Sequence, residues 1–90
     1  QYDKNRFCLV TGTIKDENED GIKNAKITIL KHPEYGTVYS DDNGVYTIPL
    51  EGGAKYIIRY EKEGYTTIDR EVNAPVLDWV NIDEVTMLKF

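Results

Sequence analysis

Alternation with a period of two, cut into short runs by turn-forming residues, limits the fold of this chain more than any other feature. Tyr46, Ile48 and Leu50 alternate with Val45 and Thr47; Tyr56, Ile58 and Tyr60 alternate with Ile57 and Arg59; Ala25, Ile27 and Ile29 alternate with Lys26 and Thr28. Successive side chains of a strand point to opposite faces, so each run has one apolar face and one wetter face. No stretch sustains the 3.6-residue repeat of an amphipathic helix. No helix-sized crossover separates the runs, which excludes parallel βαβ units. Composition agrees: Val, Ile and Thr supply 24 of the 90 residues, Ala and Leu only 8. Branched side chains fit a pleated surface, and good helix formers are scarce.

Read along the chain, residues 1–6 form a polar arm and residues 7–90 a single domain. Phe7–Lys15 reads as a strand with Val10, Gly12 and Ile14 on one face. Asp16–Gly21 is a polar turn, and Ala25–Ile29 a second strand. His32-Pro33-Glu34-Tyr35-Gly36 breaks it, because Pro33 lacks a donor and Gly36 permits a sharp bend. Thr37–Ser40 is a short strand, and Asp41-Asp42-Asn43-Gly44 reads as a hairpin turn, since Asn-Gly suits positive φ. Tyr46–Leu50 follows, with Pro49 marking an edge position or a strand end. Glu51-Gly52-Gly53 turns the chain into Lys55–Tyr60, and Glu61–Gly64 turns it into a strand over Tyr65–Val72. Asn73–Asp83 reads as irregular, and Val85 with Met87 marks the last strand. About seven short strands with close turn signals predict an all-β, mainly antiparallel Greek-key sandwich. Its expected core is Val10, Ile14, Ala25, Ile27, Ile29, Tyr46, Ile48, Leu50, Tyr56, Ile58 and Tyr60.

The length allows one domain and no second core. With 11 basic against 16 acidic residues the net charge is −5, which leaves no cationic excess to neutralise the phosphates of nucleic acid or anionic lipid. The single cysteine, Cys8, gives neither an internal disulfide nor a cysteine pair for zinc. No apolar run approaches the ~20 residues of a membrane span, so membrane insertion is not expected. A start at Gln1 rather than Met reads as a piece processed or excised from a larger polypeptide, so the lack of a secretory leader says nothing about the parent's address.

Several stretches resemble carboxypeptidase regulatory-like domains, which have a transthyretin-like (prealbumin-like) Greek-key sandwich. They are Val10-Thr11-Gly12-Thr13-Ile14, the turn Asp16–Gly21, Asn24-Ala25-Lys26-Ile27-Thr28-Ile29, Ser40-Asp41-Asp42-Asn43-Gly44-Val45-Tyr46 and Gly64-Tyr65. Together they cover about residues 8–72. His32-Pro33-Glu34-Tyr35-Gly36, Gly52-Gly53, Arg59-Tyr60-Glu61-Lys62 and Gly64-Tyr65 further resemble the sandwich domain that precedes the shell of RHS/YD-repeat and teneurin-like proteins. The resemblance implies a non-catalytic module of a large extracellular polypeptide. Transthyretin-like folds also include hydroxyisourate hydrolases, but their extra histidines and Tyr-Arg-Gly-Ser terminus are missing here, where the chain ends Met87-Leu88-Lys89-Phe90.

Six constellations have chemical potential. Asp16-Glu17-Asn18-Glu19-Asp20-Gly21 matches the first half of an EF-hand loop, and Asp16, Asn18 and Asp20 are its candidate calcium ligands. Position twelve of that loop is Ile27 rather than a bidentate Glu, so Glu51 or Asp69 from elsewhere would have to complete the site; the plainer reading is a solvated acidic turn. Asp41-Asp42-Asn43 is a second oxygen-rich turn, of a kind that commonly bonds its own backbone. His32 has no partner histidine for a metal site and no evident nucleophile to activate, and Cys8 has no basic neighbour to activate it. Tyr35, Tyr39 and Trp79 are candidates for stacking on carbohydrate. Lys15 and Asn81, with Glu71 as acid, are the candidate pair for an internal isopeptide bond.

No triad, phosphate loop or complete metal set is visible. The reading is therefore an accessory module, not an enzyme and without a required cofactor, of a secreted or cell-surface protein. It would pack on neighbouring domains or bind a protein partner through His32, Glu34, Tyr35 and Trp79, which combine aromatic area with polar edges. A carbohydrate-binding module and a calcium-stabilised adhesin-type domain are the alternatives.

Overall fold

The computed structural model describes residues 7–74, 79–82 and 84–90; the polar arm at residues 1–6 lies outside the described residues. Strands β1 (Phe7–Lys15), β2 (Lys26–Ile29), β3 (Thr37–Tyr39), β4 (Val45–Glu51), β5 (Ala54–Glu61), β6 (Ile68–Ala74), β7 (Trp79–Asn81) and β8 (Val85–Thr86) form two sheets. One sheet has the order β4-β1-β7, with β8 also on β1; the other has the order β3-β2-β5-β6. All pairs are antiparallel except those of β7 and β8 with β1, which are parallel. These parallel pairs need no helical crossover, because the chain reaches them by way of the opposite sheet.

The expected architecture is present, and every residue expected in the core is buried. The strict alternation of β4 shows why: Tyr46, Ile48 and Leu50 point inward, and Val45, Thr47, Pro49 and Glu51 outward. Cys8, Ile22, Val72, Ala74, Val85 and Met87 complete the core. Pro49 is on β4, at the edge of its sheet, where a missing N–H does no damage.

Three details differ from the pattern read in the sequence. The first is the stretch 73–83, expected to be irregular, which contains the end of β6 and all of β7. β7 and β8 run along one edge of β1, where the Thr11 and Lys15 carbonyls accept the Ile82 and Met87 N–H groups. The register shifts by one residue between Thr11↔Asn81 and Ile14↔Val85. The two short strands are therefore one interrupted strand with an extra residue, which hides the period-two signal. Counted that way, the sandwich has the expected seven strand positions.

Second, the turn at Asp41–Gly44 is not a hairpin within one sheet. It carries the chain from β3 in one sheet to β4 in the other. Gly44 alone takes positive φ there, at 80°. The Asp41 carboxylate accepts the N–H groups of Asn43 and Val45, each at 2.9 Å. The turn is thus an Asx-stabilised corner rather than the two-residue Asn-Gly loop that the dipeptide suggests. Third, Pro33–Tyr35 forms a single 3-10 turn, closed by Gly36 N–H on the Pro33 carbonyl.

Ser40 locks this corner to the rest of the fold. It is only 3% exposed. Its Oγ accepts the Ala25 N–H at 2.8 Å and donates to the Ile22 carbonyl. Its own N–H and C=O pair with the Ala25 carbonyl and Asn24 N–H. Ser40→Ala would leave two buried backbone groups unpaired. We expect a loss of about 1–3 kcal/mol, measured by urea unfolding with an unchanged m-value.

Candidate functional site

His32, Glu34 and Tyr35 gather at one end of the sandwich, as the proline-broken segment requires. Pro33 starts the 3-10 turn and Gly36, at φ 72°, ends it. This folds the His32 imidazole back over its neighbours. His32 Nδ1 lies 3.0 Å from a Glu34 carboxylate oxygen. The ring meets Tyr56 in a T-shaped contact at 5.2 Å and Tyr35 at 5.8 Å. Tyr35 and Tyr56 are themselves edge to face, with centroids 5.6 Å apart.

The hydroxyls complete the cluster. Those of Tyr35 and Tyr56 are 3.1 Å apart. Tyr56 donates to the Glu51 carbonyl at 2.7 Å, and the Glu51 N–H donates to the Tyr35 hydroxyl at 3.3 Å. Burial, reinforced by the Tyr35 hydroxyl, pushes the Tyr56 phenol far above its ordinary range. The cluster therefore ties β5 and the 3-10 turn to the end of β4 in the opposite sheet. Beside it is a shallow cleft of ≈ 160 Å³ lined by Leu30, Lys31, His32, Lys55, Tyr56 and Ile57. A larger cleft of ≈ 400 Å³, with Lys26, Glu61, Lys62 and Glu63 in its lining, mixes charges of both signs.

Tyr56 and Glu51 escaped sequence reasoning as members of this site. Tyr56 reads as core by its alternation, and it is core. Nothing in its spacing tells that its hydroxyl reaches the opposite sheet.

Trp79, expected on the same surface, is on β7 opposite Leu9. β1 separates that strand from β4, where Tyr35 is bonded. The Trp79 side chain lies outside the described residues. The three candidate stacking residues are also dispersed: Tyr35 is part-buried and bonded, Tyr39 is exposed on β3, and Trp79 belongs to the other sheet.

The two acidic turns have the same construction. Asp16 Oδ1 accepts the N–H groups of Asn18 and Asp20, as Asp41 Oδ1 accepts those of Asn43 and Val45. In each, the residue three positions on has positive φ: Glu19 at 66° and Gly44 at 80°. The Asp16 carboxylate thus has a role in the turn that needs no cation. Among the described residues, no group of three or more His, Cys, Asp or Glu side chains is placed to hold a metal.

The candidate isopeptide pair is not brought together. Lys15 Nζ forms an ion pair with Glu84 at 2.7 Å. Asn81 stands opposite Thr11, four residues away along β1, and four strand residues span about 13 Å. Cys8 is fully buried in the core, away from the solvent access that a reactive thiolate needs.

Fold and site together define a transthyretin-like β-sandwich module. More narrowly, residues 2–87 match the model of the teneurin TTR-like domain, and the chain belongs to that family. Teneurin-1 of Homo sapiens is 21% identical over 86 residues, which are 96% of this chain and 3% of that protein. Among solved structures, a type II cohesin–X-dockerin complex from Acetivibrio cellulolyticus matches with a TM-score of 0.73 at 15% identity, over 91% of this chain and 58% of that one. The 3-chlorocatechol 1,2-dioxygenase of Rhodococcus opacus 1CP matches with a TM-score of 0.72 at 10% identity, over 93% and 60%. The chain therefore spans a small part of its curated relative and less than two thirds of either structure. A docking complex and an enzyme share the fold, so the likeness shows the fold alone.

The Glu34 carboxyl is held below its ordinary range, first by its hydrogen bond with His32. A lowered folded-state value means that the pair's contribution is present above the ordinary carboxylate pKa and fades as pH falls through the lower folded value. An NMR titration should find the Glu34 midpoint below that of an exposed glutamate, and His32→Ala should raise it toward the ordinary value, a backbone hydrogen bond at Glu34 keeping part of the shift.

Proposed function

We propose that this chain is a non-catalytic accessory module of a larger secreted or cell-surface polypeptide, acting by packing against that polypeptide's neighbouring domains. One observation carries the reading. The residues with chemical potential are engaged in closing the sandwich: Ser40 and Asp41 build the corner, Asp16 builds its own turn, and Tyr35 and Tyr56 tie the two sheets together. His32 has a carboxylate and two aromatic rings as neighbours, which anchor an imidazole but supply no nucleophile for it to activate.

The family membership supports the same reading, because the matching segment of teneurin-1 is a small piece of a very long chain. The finer placement, a carboxypeptidase regulatory-like module ahead of an RHS/YD-type repeat shell, rests on the His32–Gly36 and Gly52-Gly53 pattern. A closed sandwich suits such a role, since it keeps one core intact while its outer faces and loops meet other domains.

Contact with neighbours stabilises only the folded state, so it raises the melting temperature by linkage. About 1 kcal/mol of such contact shifts a domain of this size by roughly 4–8 °C. The domain should melt several degrees higher within the full-length polypeptide than as the 90-residue chain. Equal melting temperatures would contradict the proposal.

A further inference from the structure

The two outer faces of the sandwich differ in chemistry. On the β3-β2-β5-β6 sheet, register and alternation place Lys26, Lys55, Arg59, Glu61, Asp69 and Glu71 outward, and Arg59 makes a bidentate pair with Asp69. On the β4-β1-β7 sheet the corresponding rows are Val45 with Thr13, Thr47 with Thr11, and Pro49 with Leu9. β7 adds the register positions of Trp79 and Asn81. None of these positions is charged, although 30% of the chain is. Among the described residues charge returns at the two ends, with Glu51 opposite Phe7 and Lys15 paired to Glu84.

A neutral centre with a charged rim is the layout of an interface, where charge is depleted at the core. The side chains suit docking in a second way. Thr, Val and Pro have few rotamers to lose, so ordering them on contact opposes binding little. Val45, Thr47 and Pro49 are exposed, and among the described residues the face makes only local bonds: the Thr11 hydroxyl donates to the Tyr46 carbonyl, and the Thr47 hydroxyl to Thr11.

Size decides between occupants. Two strands paired over seven residues and a third paired over three present roughly 270 Å². A freely associating partner, including a second copy of this chain, needs ~800 Å² per side. A tethered domain needs less, because the linker supplies a high effective concentration. Most of the teneurin-1 chain lies beyond the matched segment, which leaves ample polypeptide to supply one.

We propose that the outer face of the β4-β1-β7 sheet, centred on Thr11 and Thr47, is the docking face for a neighbouring domain of the same polypeptide that presents an uncharged, apolar surface. The proposal rests on the accessory-module reading and names its contact surface, which is not the His32 end. Thr47→Cys provides the probe, since Thr47 is exposed and the native Cys8 is fully buried. Maleimide labelling at residue 47, read by peptide mass, should be about tenfold slower in the full-length polypeptide than in the 90-residue chain, because labelling then waits for undocking. Ile57→Cys, on the charged face, should label equally in both. Equal rates at residue 47 together with a raised melting temperature in the full-length polypeptide would overturn the docking face and leave the accessory-module reading intact. Equal rates and equal melting would overturn both. Slow labelling in the dilute 90-residue chain, or slowing that appears only as its concentration rises, would show a segment of the chain itself or a second copy on the face, and either would overturn the proposal.

Discussion

The Tyr46 ring lying across Gly12 is the contact on which the rest of the sandwich depends. The two residues face each other in register on β4 and β1. A Cβ on Gly12 would stand 2.6 Å from the Tyr46 hydroxyl oxygen and 2.9 Å from two ring carbons. The ring cannot swing away, because it is 2% exposed and its hydroxyl is 2.6 Å from that of Tyr60 on the opposite sheet. One hydrogen bond thus joins the two sheets through the core, and it forms only because β1 has no side chain at that point. Burial raises the pKa of both phenols, which favours the neutral hydroxyls that make this bond.

The corner from Ser40 to Tyr46 delivers that ring. Ser40 satisfies the backbone near Ile22 and Ala25, Asp41 holds the turn, and Gly44 lets the chain pass against β1. A Cβ on Gly44 would fall 2.2 Å from the Ile14 carbonyl oxygen. The Ser-Asp-x-x-Gly-x-Tyr sequence is therefore one device, in which each named residue serves the placement of the next.

How much of this was legible in the sequence follows from how local each signal is. The core could be read because β2, β4 and β5 keep strict alternation over their length, and burial follows alternation directly. β7 and β8 could not be read as one strand, because the extra residue between Thr11↔Asn81 and Ile14↔Val85 breaks the period. The Asn43-Gly44 dipeptide announced a turn but not that it changes sheets, since that depends on the distant anchors at Ala25 and Ile14. His32, Glu34 and Tyr35 were foreseeable as a group through Pro33 and Gly36. Their joining to Tyr56 and Glu51 was not, because those contacts reach residues distant in sequence, and those to Glu51 cross to the other sheet. The uncharged face emerges only when β1 and β4 are set in register.

The most direct test of this account is a double-mutant cycle between residues 12 and 46, followed by urea unfolding. Gly12→Ala should destabilise the native protein by about 1–3 kcal/mol, the usual range for overpacking. In a Tyr46→Leu background, which lacks the ring atoms that the new methyl would strike, the same change should cost less than about half as much, giving a clear coupling energy. Equal losses in the two backgrounds would contradict the claim that Gly12 is there to admit Tyr46.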